Sequence, residues 1–459
     1  MFKRRAAGPL LAALAAALAL LPALRNGFVD WDDRSTLLLN EHFRGLSWEN
    51  LRWMLSSFHL GHWQPLAWLS FCADYALWGM RPFGYHLTAL LLHSANAVLA
   101  CLLGERLLAA GGTPPEHAQT AAFWGALLFA VHPLRVESVA WATERRDVLM
   151  GLFFIAAMLA HVRESRGEAR ANPRYALTTA MAALCALSNV RGLTLPAALL
   201  LLDVYPLRRL PVDPRTWLKP ASRPVLMEKR GPALVALASA LVGLAAQSAD
   251  SSPLTPLSRF GPVARLAQAV YGLGFYLVKL FAPIDLSPLY ERSWRLDRAE
   301  FLAYGSVALA SFALAWRARR RLPALAAALG FYALTLSPTL GLVKSGRQTV
   351  ADRYSYLPCL GVCLLLGHLI AASKRRWAPF AAAALAALLI AASWRQCAVW
   401  RDSVSLWTRA VEVDPRSFFA RRNLAGALAQ TGRVEEAAAQ QAQADAVYAD
   451  IVRRAGPLR

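Results

Sequence analysis

Apolar stretches separated by short polar ones recur from the N-terminus to about residue 395. Crossing a bilayer as a helix takes about 20 apolar residues, within a range of roughly 17 to 25. Twelve runs meet or approach that length: residues 8–24, 85–103, 118–134, 146–162, 175–190, 192–207, 232–248, 263–283, 300–316, 322–343, 354–372 and 377–394. The pattern predicts an all-α, polytopic membrane bundle over residues 1–396.

Beyond residue 397 the chain turns polar and amphipathic. Residues 417–450 read as two short helices joined at Thr431-Gly432-Arg433, with alanines at the packing positions. This unit resembles one tetratricopeptide repeat, preceded by a half repeat over 399–413 that closes at Asp414-Pro415. One such hairpin cannot bury its own apolar face, so it is expected to pack on the membrane domain or on a protein partner.

Composition agrees with the pattern: of 459 residues, 56% are hydrophobic and 17% charged, too apolar for an ordinary soluble chain. The net charge of +21 sits in short clusters between apolar segments, where it sets membrane orientation, so nucleic acid is not an expected partner. With Lys3 to Arg5 inside, alternate crossings keep Arg163–Arg174 and the basic loop Arg208–Arg230 inside as well. If 263–283 also crossed, Arg317–Arg321 and Lys374–Arg376 would fall outside, against the rule that short basic loops stay cytoplasmic. That segment carries Arg265, Gln268 and Lys279, and reads as an interfacial or re-entrant helix. About eleven crossings remain, and loops 25–84, 132–147, 249–299 and 344–353 lie outside with the C-terminal tail. The basic start and apolar run to Leu24 lack an Ala-x-Ala cleavage site and read as an uncleaved signal anchor. The six cysteines include no Cys-x-x-Cys pair, so neither a zinc site nor a disulfide framework is expected.

Ionisable residues are almost absent from the middle of the spans, which disfavours an ion-coupled transporter. They gather instead in the outer loops: Asp30, Asp32 and Asp33; Glu137, Glu144 and Asp147; Lys344 and Arg347; Asp352 and Arg353. Acids and cations at a membrane surface suit an enzyme acting on a phosphate-linked lipid, with an acid deprotonating an acceptor and cations neutralising the leaving phosphate. They equally suit headgroup binding. Plainer readings exist for single residues. Asp32 and Asp33 can cap a helix or pair with Arg34. His86, His93 and Asn96, seven and three apart, share a helix face and suit hydrogen bonding between spans. His132-Pro133 ends a helix. The tryptophans of the first loop suit interfacial anchoring, with Trp31 beside the acids the candidate for sugar stacking.

Several motifs together carry a resemblance. They are Asp30-Trp31-Asp32-Asp33-Arg34, Gly61-His62-Trp63-Gln64-Pro65, Gly84-Tyr85-His86-Leu87, His132-Pro133-Leu134-Arg135-Val136-Glu137, Glu144-Arg145-Arg146-Asp147 and Gly346-Arg347-Gln348 through Asp352-Arg353-Tyr354. In this order they resemble the GT-C membrane glycosyltransferases with C-terminal tetratricopeptide repeats, the transmembrane O-mannosyltransferases, in a bacterial-type form. The resemblance implies transfer of mannose or another hexose from a polyprenyl-phosphate carrier to a hydroxyl of a protein or glycan, on the periplasmic face of a bacterial inner membrane.

Carried over residue by residue, the first-loop acidic pair falls on Asp32 and Asp33 and the second acidic loop on Glu137, with Asp147 at the start of the next helix. The implied mechanism is a single displacement with inversion, one aspartate acting as general base. Arg347 and Arg353, beside Asp352, would hold the phosphate. A divalent cation, magnesium or manganese, held by Asp32 or Asp33 with Glu137 is the implied cofactor alternative. Where bacterial relatives tend to read Ala-Lys-Pro before the sixth span, this chain has Ser188-Asn189-Val190-Arg191-Gly192, with Arg191 in the lysine's place. The rival reading is a non-catalytic membrane scaffold, or a protein that only binds lipid-linked sugar.

Overall fold

The computed structural model describes residues 2–167, 175–249, 261–291, 298–342 and 348–455. The order begins with α1 (Phe2–Leu20), which runs through a 3-10 turn to Arg25. The first loop follows, with a π turn at Arg34–Leu38, α2 (Trp48–Ser56) and α3 (Pro65–Trp78). Ser47 caps α2 by accepting from Asn50 N–H at 3.2 Å. Next come α4 (Pro82–Ala110), α5 (Pro115–Val131), the single turn α6 (Val136–Ala140) and α7 (Arg145–Ser165). Prolines open α3, α4 and α5 because the first turn has no N–H partner to lose. The second half comprises α8 (Ala176–Ser188), α9 (Leu195–Val204), α10 (Arg223–Met227), α11 (Arg230–Ser248), α12 (Pro262–Phe281), α13 (Arg298–Ala318), α14 (Pro323–Leu336), α15 (Cys359–Ala372) and α16 (Ala378–Val399). The tail is α17 (Ser403–Val413), α18 (Phe418–Gln430) and α19 (Val434–Ala455). Among the described residues the strands are β1 (Tyr290–Glu291) and β2 (Gln348–Val350), paired antiparallel.

Each of the twelve apolar segments falls on one helix: α1, α4, α5, α7, α8, α9 and α11 to α16. The chain is therefore a helical, multi-pass membrane protein. Six helices among the described residues are long and apolar enough to cross. The longest, α4, has 29 residues and rises about 44 Å at about 1.5 Å per residue. Others are shorter: α14 and α15 have 14 residues each, about 21 Å, and give way to 3-10 or extended backbone where the polar residues lie. Such backbone is tolerated at membrane depth only when protein covers it.

The segment read as not crossing is α12. Arg265, Gln268, Gly272, Tyr276 and Lys279 line one stripe of it, all buried. The stripe bonds backbone: Arg265 donates to Leu342 O (3.0 Å), Gln268 to Thr349 O (3.4 Å) and Lys279 to Ile284 O (2.5 Å), and Tyr276 accepts from Ala351 N–H (2.9 Å). These polar groups thus face protein, beside β2, instead of headgroups.

Small residues bring α5 and α15 together: a Cβ on Gly125 would lie 2.7 Å from Leu364 Cα, and one on Gly367 2.3 Å from Ala121 O. Close backbone approach of this kind drives association where burial from water cannot. Polar ties add direction. His93 donates to Ala130 O (2.9 Å) and accepts from the Tyr356 hydroxyl (2.8 Å), which accepts from Asn96 (2.7 Å). His93 and Asn96 therefore make the hydrogen bonds between spans that their spacing suggests. His132 ends α5 as expected, accepting from Leu134 N–H (3.2 Å) and donating to Leu280 O (3.0 Å).

Arg145, fully buried, pairs with Asp74 of α3 and also reaches Ser70 Oγ (2.9 Å) and Tyr85 O (2.5 Å). Removing one member of a buried pair leaves an uncompensated charge, which costs about 3–5 kcal/mol. Asp74→Ala is expected to lower stability by that order, read as thermal unfolding in detergent, while an exposed pair such as Arg433–Glu436 can be broken with little effect.

Candidate active site

The loops that carry the acids and arginines converge at one end of the bundle. Arg135, buried on the turn after α5, fixes the stretch before α15 by donating to Ser355 O (2.8 Å), Tyr356 O (2.5 Å) and Ser355 Oγ (3.1 Å). That places Arg353 over α6. Its backbone N–H donates to Glu137 Oε2 (2.8 Å), its guanidinium pairs with Glu137 Oε1, and it reaches Gln348 Oε1 (2.9 Å) and Glu144 Oε1 (3.5 Å). Its Cζ also lies 5.3 Å from the Trp141 ring centre and 4.8 Å from that of Tyr354.

Two more arginines join it. Arg146 holds Glu144 (2.5 Å) and lies 3.4 Å from Gln64 Oε1. Between α8 and α9 the helix breaks at Asn189, whose side chain bonds Asp147 (2.8 Å), and the following 3-10 turn points Arg191 at Asp147 and toward Glu144 (3.6 Å). Asp147, Arg191, Arg353, Tyr354, Tyr356 and Thr339 help line a cavity of about 10 Å³, room for roughly one water.

The two aspartates of the first loop play different parts. Asp33 is buried and accepts three hydrogen bonds, from Thr143 N–H (3.0 Å), Thr143 Oγ1–H (2.6 Å) and Val29 N–H (3.0 Å). It neither caps a helix nor pairs with Arg34; it pins the loop to the end of the second acidic loop, next to Glu144. Burial still pushes its carboxyl up to about 6, against those bonds. Among the described residues Asp32 has no hydrogen bond to its carboxylate, and it is only partly buried. It feels Arg146, Glu144 and Arg353, and burial raises its carboxyl above the ordinary value.

Of the remaining candidates, Glu137 and Arg353, and Asp147 and Arg191, form ion pairs that meet at Glu144, and Asp32 feels Glu144 and Arg353 of this network. Asp352 is buried behind them, accepting from the Tyr290 hydroxyl (2.9 Å). Burial and the neighbouring Glu137 push its carboxyl well above the usual range. Trp31 packs on Trp407 of the tail, ring centres 4.7 Å apart. Arg347 lies outside the described residues. Glu144, Arg146, Gln64 and Asn189 were given no role from sequence; the motif Glu144-Arg145-Arg146-Asp147 marked the place, and the fold turns its adjacent arginines to opposite partners, Arg145 to Asp74 and Arg146 to Glu144.

The donor set does not suit a divalent cation. Both Glu137 oxygens are occupied by Arg353, and guanidiniums stand where a cation's charge would be needed. Among the described residues no group of three or more His, Cys, Asp or Glu side chains could hold a metal. A larger cavity, about 130 Å³, lies among Leu103, Leu107, Met158, Leu201, Phe331 and Leu364, and its lining holds neither a carboxylate nor a guanidinium.

No protein-family model matches the chain. Its sequence is 27% identical to protein O-mannosyl-transferase Tmtc3 of Drosophila melanogaster over 463 residues, covering 85% of this chain and 49% of that protein. It is 27% identical to protein O-mannosyl-transferase TMTC1 of Homo sapiens over 418 residues (82% and 46%), and 28% identical to TMTC4 of Homo sapiens over 420 residues (80% and 56%). The chain spans about half the length of these relatives. Among solved structures it is similar to ArnT from Cupriavidus metallidurans bound to undecaprenyl phosphate, with TM-score 0.45 and 15% identity over 95% of this chain and 74% of that one, too distant to bear on the site. The resemblance to the transmembrane O-mannosyltransferases therefore runs along most of the chain and does not rest on one motif.

Because the Asp33 carboxyl rises from 3.8 to about 6 on folding, the folded chain binds more protons than the unfolded one between those values. Its contribution favours the folded state at the acid end and is lost as pH rises through that window. The unfolding midpoint of the native protein in detergent should therefore fall relative to that of Asp33→Asn as pH goes from about 4 to about 6; a constant difference would contradict the assignment.

Proposed function

We propose that the chain is a membrane glycosyltransferase that moves a hexose, mannose or another, from a polyprenyl-phosphate carrier to a hydroxyl of serine or threonine in a protein, with inversion. The observation that carries this reading is the juxtaposition of Asp32, whose carboxylate has no hydrogen bond among the described residues, with the guanidiniums of Arg146 and Arg353, which Glu144 ties to a third, Arg191. Asp32 takes the proton of the acceptor hydroxyl. The acceptor oxygen then bonds the anomeric carbon as the bond from that carbon to the phosphate oxygen breaks, and polyprenyl phosphate leaves with the electron pair. Arg353 and Arg191 meet the phosphate with charge-assisted hydrogen bonds, for which the guanidinium fork is suited. Arg191 is the more exposed of the two, 16% against 9% for its side chain, and swings first to admit a phosphate. Glu137 and Asp147 hold the two arginines in place, and Asp33 fixes the loop beneath Asp32. The names of the similar proteins support the reaction class.

The site faces the periplasm of a bacterial inner membrane, with about eleven crossings and the tail, read as a tetratricopeptide-repeat hairpin, on the same side. Cytoplasmic nucleotide sugars do not reach that face, so the donor arrives on a lipid. The non-crossing of α12 is supported by its bonds to Leu342 and His132, which follow the C-termini of α14 and α5.

Asp32→Asn is expected to reduce sugar transfer by about 10²–10⁴-fold with unchanged protein level in membranes. Retained transfer removes Asp32 as the base. A reporter active only outside the cytoplasm, fused after Arg459, is expected to be active; a cytoplasmic result overturns the crossing parity.

A further inference from the structure

The loop that carries Asp32 is held from two sides. Asp33 pins it to Thr143, as described. The other side is the tail. Arg401 O accepts from Gly27 N–H (2.9 Å), Ser403 Oγ accepts from Asp30 N–H (2.8 Å), and Gln430 Nε2 donates to Asp30 Oδ2 (3.3 Å). Just upstream, Asn26 Nδ2 donates to Cys397 O at the end of α16 (3.0 Å).

The aromatic contacts run the same way. Trp407, buried on α17, meets Trp31, which lies 6.2 Å from Trp141. Trp141 stacks on Trp400 with ring centres 5.5 Å apart and planes at 23°. Trp141 is also the ring beneath the Arg353 guanidinium. One aromatic cluster thus touches the tail, the Asp32 loop and the arginine that faces it.

Residues 26, 27, 30 and 31 are each fixed by α16 or the tail, while Asp32 beside them has an unbonded side chain. A loop segment without regular hydrogen bonding of its own keeps one conformation only if outside contacts offset its conformational entropy. A misplacement of a reacting group by about 1 Å can slow a reaction by about 10²-fold.

We propose that the tail is a clamp on the catalytic loop, with Ser403 and Trp407 as positioning residues that act on Asp32 through Asp30 and Trp31. This rests on the reading of Asp32 as general base. The helical tail then does more than cover the membrane domain: chemistry at Asp32 depends on its being docked.

The charged groups facing Asp32 are Asp33 on its own loop, Glu144 and Arg146 at the start of α7, and Arg353 before α15. None belongs to the tail, so loosening the clamp leaves those charges in place and admits water to the loop. Hydration favours the ionised carboxylate, and the acid limb of the rate profile moves to lower pH.

The test uses the full chain in proteoliposomes with polyprenyl-phosphate mannose and a serine-containing peptide. Ser403→Ala removes the acceptor for Asp30 N–H and is expected to lower kcat on the order of tenfold, leave KM for the lipid donor unchanged and move the acid limb down. Trp407→Ala is expected to do the same more strongly, while Ser403→Thr and Trp407→Phe restore most of the rate. If Trp407→Ala fails to accumulate, the serine pair decides. An unchanged rate in Ser403→Ala, or a lowered rate with an unmoved acid limb, overturns the clamp. The base reading fails separately, if Asp32→Asn keeps transfer and the acid limb.

Discussion

A guanidinium buried at the end of a membrane bundle persists only where its charge is met, because desolvating an unpaired ion costs several kcal/mol. Arg353 is met by both oxygens of Glu137, by Gln348, by Glu144 and by the faces of Trp141 and Tyr354. Those partners come from α6, from the turn before α7 and from the segment around β2. The ion pair therefore joins the loop after α5 to the loop before α15, and α5 and α15 in turn touch through Gly125 and Gly367. That pairing acts with the bonds from Thr143 to Asp33, which hold the acidic loop against the loop that carries Asp32.

Asp32 and Asp33 show how position along one loop separates two identical groups. Asp33 spends its carboxylate on three hydrogen bonds and is closed to solvent. Among the described residues nothing bonds the Asp32 oxygens, and the side chain feels the cations Arg146 and Arg353. A general base needs a free lone pair within reach of the acceptor and a proton affinity nearer to working pH than that of an exposed carboxylate. Asp32 meets both conditions through partial burial. Asp33 supplies the rigidity, and Thr143 links that rigidity to the same loop that ends in Glu144 and Arg146.

Much of this architecture was legible in the sequence, for physical reasons. Runs of about 20 apolar residues are a local signal, and each of the twelve found a helix. Loops that mix acids with arginines marked one end of the bundle. The pairing of those charges was not legible. That Arg145 turns to Asp74 while Arg146 turns to Glu144 depends on α3 lying beside α7, which no spacing reveals. Arg265, Gln268 and Lys279 marked α12 as unusual, but their partners are backbone carbonyls at 342, 349 and 284. Trp31 looked free to stack on a sugar because its neighbour Trp407 lies 376 positions away. The acidic pair was visible, whereas its division of labour needed Thr143 in three dimensions.

The central claim is that a base and an arginine cluster outside the cytoplasm act on a lipid-borne sugar. The most direct measurement reconstitutes the purified full chain in vesicles with a hydroxyl-bearing peptide and a radiolabelled sugar, supplied either on polyprenyl phosphate or as the nucleotide sugar alone. The account predicts labelled peptide from the lipid donor and none from the nucleotide. Label transferred from the nucleotide sugar without a lipid carrier would contradict it.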